Sequence, residues 1–120
     1  MGRGCRRQGR LGLKRGTITS VVIPGAYGKP RPALVIQSDL FAGHPSITIL
    51  PITSELREAP LFRIPLLPDS SNGLLVTSQI MIDKIQTIPA DRVGETIGTV
   101  DDSILLVVNR SLALWLGFAG

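Results

Sequence analysis

The polar residues best placed to do chemistry stand where apolar runs begin or end. Arg31 lies between Pro30 and Pro32 at the mouth of the run ALVIQ, so its backbone is stiffened and its guanidinium is aimed by a rigid element. An arginine so held suits bidentate contact with a phosphate, and equally suits a salt bridge closing the start of a strand. Thr53 and Ser54 follow the run ITILPI, where their hydroxyls could donate to a phosphate oxygen or cap a turn leading into Glu55. Asp83 interrupts LLVTSQIMIDKIQTI; a carboxylate among apolar neighbours must be exposed at a strand end or specifically paired.

Other kinds of chemistry find little support. The single histidine, His44, sits in the loop FAGHPS with no partner in sequence view and reads as a surface residue rather than a general base. With one cysteine, Cys5, there is no disulfide framework and no multi-cysteine zinc site, and no base accompanies the thiol to activate it. Metal-ligand spacing, a glycine-rich phosphate loop and a GxSxG nucleophile elbow are all missing, so neither metal nor cofactor is expected.

These residues need a scaffold, and the composition provides for one. The chain has 120 residues, 43% of them hydrophobic and 18% charged, which is one domain's worth with enough apolar surface for a core. Short runs rich in β-branched residues, separated by Gly, Pro, Asn and Asp, predict strands near Ile18 to Ile23, Ala33 to Gln37, Ile47 to Ile52, Phe62 to Leu66, Leu75 to Met81 and Lys84 to Thr87. A short helix is expected around Pro89 to Val93, and a longer one near the C-terminus, capped by Thr99 with Asp102 completing a capping box and Gly117 as the stop. Ile104, Leu105, Val108, Leu112 and Trp115 or Leu116 form its expected buried stripe. Leu106, Val107, Ala113 and Leu114 leave it little polar surface, which predicts either deep burial or an interface with a second copy or a partner.

The formal charge of +4 invites a nucleic-acid reading, but position qualifies it. Six of the 13 basic residues fall in the first fifteen positions with no acid among them; from Gly16 onward seven bases face all nine acids, a net of −2. Residues 1 to 13 hold arginine and glycine with only two leucines, and are expected to form a disordered basic extension to a single domain over residues 14–120. That extension lacks the apolar run of a secretory signal. The most apolar stretch, Ile104 to Phe118, contains Asn109 and Arg110 and falls short of the roughly 20 largely uncharged residues of a membrane span, so no membrane is expected and the cytoplasm is the expected location.

Taken as an ordered set, KRG at Lys14 to Gly16, GKPRPALVIQSD, ITILPITSEL, IDKIQTI and the closing DDSILLVVNRSLALWLG resemble the MazF/PemK toxin family over about residues 14 to 118. The resemblance implies a mainly β fold with α: a small SH3-like β-barrel of five to seven strands with a C-terminal helix. It implies a homodimer, neutralised by a cognate antitoxin protein, that cuts single-stranded RNA as a sequence-specific endoribonuclease without metal. In that chemistry the RNA 2′-hydroxyl attacks the adjacent phosphorus, leaving a 2′,3′-cyclic phosphate and a 5′-hydroxyl. The family's catalytic arginine falls on Arg31, its threonine or serine after the third strand on Thr53, and an aspartate used by some members on Asp83. Lys29, Ser54, Lys84 and Tyr27 are the expected substrate contacts. Dependence on the 2′-hydroxyl would discriminate against DNA.

The chain departs from the pattern at Thr17, where many relatives are acidic; in the short loop PGAYGKP; and at Met81, where some members carry an arginine two residues before the aspartate. These departures bear on acid and base assignments more than on fold. Two other readings remain. A non-enzymatic gyrase inhibitor of the CcdB group shares the barrel and would use the closing LALWLGFAG with Trp115 as an anchor. A plain SH3-like interaction module would need an aromatic-lined groove, for which five or so scattered aromatics supply little material.

Overall fold

The computed structural model describes residues 13–23, 25 and 28–118. Tyr27 and nearly all of the expected extension therefore lie outside the described residues. Seven strands form one antiparallel sheet: β1 Thr17–Val22, β2 Pro30–Val35, β3 Ser46–Thr53, β4 Arg63–Leu66, β5 Ser78–Met81, β6 Gln86–Pro89 and β7 Val93–Thr99. The order is β4-β5-β3-β2-β1-β7, with β6 also paired to β3. The long strand β3 is the hub. Its first half pairs with β6, through Ser46↔Pro89 to Ile49↔Gln86, and its end pairs with β5, through Ile52↔Ile80 and Thr53↔Gln79. This is the expected mainly β architecture with a C-terminal helix.

Alternation along the strands buries residues on both faces of the sheet. Leu34, Leu50, Ile52, Ile64 and Ile80 join one cluster with Ile18; Val21, Ala33, Val35, Ile47, Ile49 and Ile88 form the other. Leu13, assigned by sequence to the extension, is 7% exposed and belongs to the second cluster, so the packed body includes it. Leu50, fully buried at the centre of β3, illustrates the scale: truncation to alanine would cost about 2–5 kcal/mol.

The hydrogen-bonded order ends at β4 and β7, and the loop between β4 and β5 bridges them. Asp69 and Asn72 organise that loop: Asp69 Oδ1 accepts from the N–H groups of Ser71 and Asn72, while buried Asn72 donates to the Leu67 carbonyl at 2.7 Å. Thr99 N then donates to Ser71 O at 2.9 Å. The approach to β7 is close enough to require glycine on both sides, since a Cβ at Gly73 would fall 2.2 Å from Ile97 O and one at Gly98 would fall 2.4 Å from Ser71 O.

Helix α1 spans Asp102–Leu116. Its cap is Asp101 rather than the expected Thr99, because Thr99 is still in β7, paired with Thr17, and Asp101 is the next residue whose side chain reaches back, accepting from Ile104 N at 3.0 Å. The Ser103 hydroxyl, then the Ile104 amide, hold the Asp101 carboxyl below its ordinary value. Val108 and Leu112 are buried against the first cluster, with Ile104 packed partly against it. Trp115 is half exposed and meets Phe62, ring centroids 5.8 Å apart. Leu106, Val107, Leu114 and Leu116 remain exposed beside Asn109 and Arg110, which leaves much of the outer surface of the helix apolar. Arg15, from the KRG motif, ties the helix to the sheet by donating to Ile36 O at 2.8 Å and to Asn109 Oδ1 at 2.6 Å.

Other boundaries move. Leu75 and Val76 are exposed, and β5 starts only at Ser78. The expected Lys84 to Thr87 strand is present but shifted: Ile82–Lys84 form a 3-10 turn, and β6 starts at Gln86 and runs on to Pro89. The expected Pro89 to Val93 helix is a 3-10 turn at Ala90–Arg92. No helix among the described residues is long and apolar enough to cross a membrane.

Candidate active site

Arg31 owes its position to the two prolines around it. Neither Pro30 nor Pro32 can donate to a ladder, and β3 pairs with β2 only from Ala33 onward. The segment Pro30 to Pro32 is therefore held by β1 alone, with Arg31 opposite Val21, and the Arg31 side chain is exposed at the sheet's rim. On the neighbouring strand, β3 ends at Thr53. Its Oγ1 accepts from Glu55 N at 3.0 Å, so the turn-capping and ligand-facing readings of this hydroxyl hold together: one lone pair fixes the turn and the O–H stays available to donate.

Arg31, Thr53 and Ser54 line one cavity of about 840 Å³, walled by Pro32, Pro51 and Met81, by Gly73 to Val76 of the bridging loop, and by Glu55. Its size suits a nucleotide-sized group. Asp83 lies elsewhere, in the 3-10 turn that packs against α1. Its Oδ1 is buried without a hydrogen-bond partner among the described residues. Lys29 and Lys84 are exposed and do not line the cavity. The structure thus brings together three of the residues singled out by sequence and adds Glu55, the one carboxylate of the lining among the described residues. Glu55 carried a signal, since it follows Thr53 and Ser54 directly, but sequence offers it equally as a turn residue. Among the described residues no group of three or more His, Cys, Asp or Glu gathers as a metal site would require.

A family model described as the PemK-like, MazF-like toxin of type II toxin-antitoxin systems matches residues 14–116. The chain belongs to this family. It is 38% identical over 109 residues to a probable endoribonuclease MazF of Mycolicibacterium smegmatis, covering 90% of this chain and 100% of that relative. Among solved structures, the Mycobacterium tuberculosis toxin MazF-mt6 is similar at TM-score 0.72 and 25% identity, over 84% of this chain and 96% of that one. An endoribonuclease from mycobacterial species, solved with its cognate antitoxin, shares the fold at TM-score 0.74 and 21% identity, over 89% and 97% of the two chains. The antiparallel sheet and C-terminal helix are therefore the MazF-type fold, and the cavity at the end of β3 is where this member carries Arg31 and Thr53.

Proposed function

We infer that this toxin is an endoribonuclease acting on single-stranded RNA in the cytoplasm, without metal, as a homodimer held in check by an antitoxin. The observation that carries the reading is the convergence of Arg31, Thr53 and Ser54 on one cavity at the end of β3. The name of the Mycolicibacterium relative and the antitoxin complex of the mycobacterial neighbour support it. The exposed apolar residues Leu106, Val107, Leu114 and Leu116 supply the kind of face that a second copy or an antitoxin would cover.

Attack of a 2′-hydroxyl on its adjacent phosphorus places negative charge on the phosphoryl oxygens, takes a proton from the 2′-oxygen and delivers one to the departing 5′-oxygen. Arg31 can donate from its fork to two phosphoryl oxygens, and the Thr53 hydroxyl, oriented by Glu55 N–H, donates to one of them. Glu55 stands in the cavity wall, which supports assigning proton removal to it ahead of Asp83. Lys29 and Lys84 are left as outlying contacts for the RNA backbone.

The test is incubation of the purified protein with a defined RNA in EDTA, followed by end mapping. Site-specific cuts with cyclic phosphate ends, lost in Arg31→Ala and Thr53→Ala variants that remain folded, are expected. Absence of cutting together with inhibition of gyrase would transfer the protein to the non-enzymatic reading.

A further inference from the structure

Strand β4 opens on a residue that its own surroundings do not justify. Arg63 is 7% exposed, a buried guanidinium in a run of apolar neighbours. Its Nη1 donates to Glu55 O and to Gln79 Oε1, each at 3.3 Å, and both acceptors are neutral. Its Nε is buried with no partner among the described residues. A buried cation satisfied only by neutral oxygens opposes folding, and an apolar side chain of similar volume would serve stability as well or better.

Its placement suggests what the charge does. Arg63 lies directly opposite Met81 across β4 and β5, and Gln79 lies directly opposite Thr53 across β5 and β3. Met81, Thr53 and Glu55 all line the cavity, so the guanidinium stands behind its wall. Gln79 uses the rest of its amide on Arg57, accepting from Arg57 N at 3.0 Å and donating to Arg57 O at 2.9 Å. The Arg63 guanidinium of β4 and the Gln79 amide of β5 therefore fasten the segment Glu55 to Arg57, which starts two residues after Thr53, onto these two strands. A charge held behind a low-dielectric wall acts across it with little screening by water.

We propose that Arg63 is a positioning residue of this site, which holds Glu55 in the cavity wall and supplies from behind it a positive charge that favours an anion in the cavity. The proposal rests on the endoribonuclease reading for its catalytic consequence. A phosphodiester gains negative charge on the way to its transition state, so a fixed cation nearby helps the transition state more than the bound substrate. Arg63 therefore contributes to kcat more than to KM.

The experiment compares the parent with Arg63→Met, Arg63→Lys and Gln79→Glu, measuring thermal midpoint, kcat and KM on an RNA carrying a mapped cut site. Arg63→Met should keep or raise the midpoint while kcat falls about tenfold or more with a smaller change in KM. Arg63→Lys should recover part of kcat. Gln79→Glu places a carboxylate against the guanidinium and should lower kcat in a folded protein, which decides the matter should Arg63→Met fail to fold. Retention of parental kcat by Gln79→Glu, or by a folded Arg63→Met, would overturn the proposal. A midpoint titration with inorganic phosphate separates it from the RNA reading: the parent should be stabilised and Arg63→Met much less so, whether or not RNA is cut. No stabilisation of the parent by phosphate would count against the charge's role, and a parent that is stabilised yet cuts no RNA would overturn only the endoribonuclease reading.

Discussion

Two depressions open toward opposite ends of β3. The one of about 430 Å³ near Ser46 is lined by Gln37, Phe41, His44, Ser46, Thr48 and Thr87. There the polar side chains serve one another and the local backbone. His44 Nδ1 accepts from Ser46 N at 3.0 Å; Gln37 donates to Phe41 O and Ser46 O and accepts from Thr48 N; the hydroxyls of Thr48 and Thr87 are 2.7 Å apart. At the Thr53 end the turn consumes one lone pair of a hydroxyl, Arg31 is exposed at the rim, and Arg63 carries a charge that its two neutral partners leave uncompensated. The lone histidine, the residue type most often associated with proton transfer, is thus part of a self-satisfied turn. Capacity for chemistry lies where polar groups are held in place but not used up.

The largest effect that should separate the two ends is on activity. Arg31→Ala or Thr53→Ala should lower RNA cleavage by about 10²–10³-fold, whereas His44→Ala should stay within about twofold of the parent. Rates of cutting at one mapped site, with circular dichroism to confirm folding, check this, and a large loss in His44→Ala would place chemistry at the Ser46 end as well. Next, Glu55→Gln should lower kcat by about 10²-fold or more, and Asp83→Asn by less, because only Glu55 lines the cavity. Single-turnover rates for the two variants decide which carboxylate moves the proton.

Stability should respond in the opposite sense. Gln37→Ala removes two hydrogen bonds that join the loop after β2 to β3 and one within that loop, and should cost about 1–3 kcal/mol in urea unfolding while leaving cleavage per folded molecule unchanged. The smallest effect belongs to Asp101→Ala at the start of α1, which should lower the thermal midpoint by a few degrees near neutral pH. Since folding depresses the Asp101 carboxyl, its contribution is complete above the ordinary carboxylate range and disappears as pH falls through the folded-state value. Parent and variant midpoints should therefore converge in acid.

What could be read from sequence follows physical lines. The β-branched runs at Ile18, Ala33 and Ile47 mark strands buried on both faces, and their signal is strong. Strand β7 is mostly exposed, carries two glycines and sits at the end of the sheet, so VGETIGT offers no apolar alternation to detect. Leu75 and Val76 mislead in the other direction: they are apolar and β-prone, yet they belong to a loop that closes the sheet and walls the cavity. Arg31 and Thr53 are legible because each adjoins a long apolar run. Arg63 interrupts FRIPL much as Asp83 interrupts its own run, so the same logic that selects Asp83 would select Arg63; only the fold reveals that Arg63 stands behind the cavity and Asp83 beside the helix. The net positive charge comes from the first fifteen residues, the rest carrying −2, so the body that forms the site must attract RNA through a few positioned groups.

On the proposed reading, the cavity at the end of β3 drives attack by the RNA's own 2′-hydroxyl. This attack is tested most directly by replacing the single ribose 5′ to a mapped cleavage site with 2′-deoxyribose and repeating the reaction in EDTA. The substituted RNA should be bound but not cut at that position, while the unmodified RNA should be cut to a 2′,3′-cyclic phosphate and a 5′-hydroxyl. Cutting of the deoxy-substituted bond at the parental rate would contradict that reading.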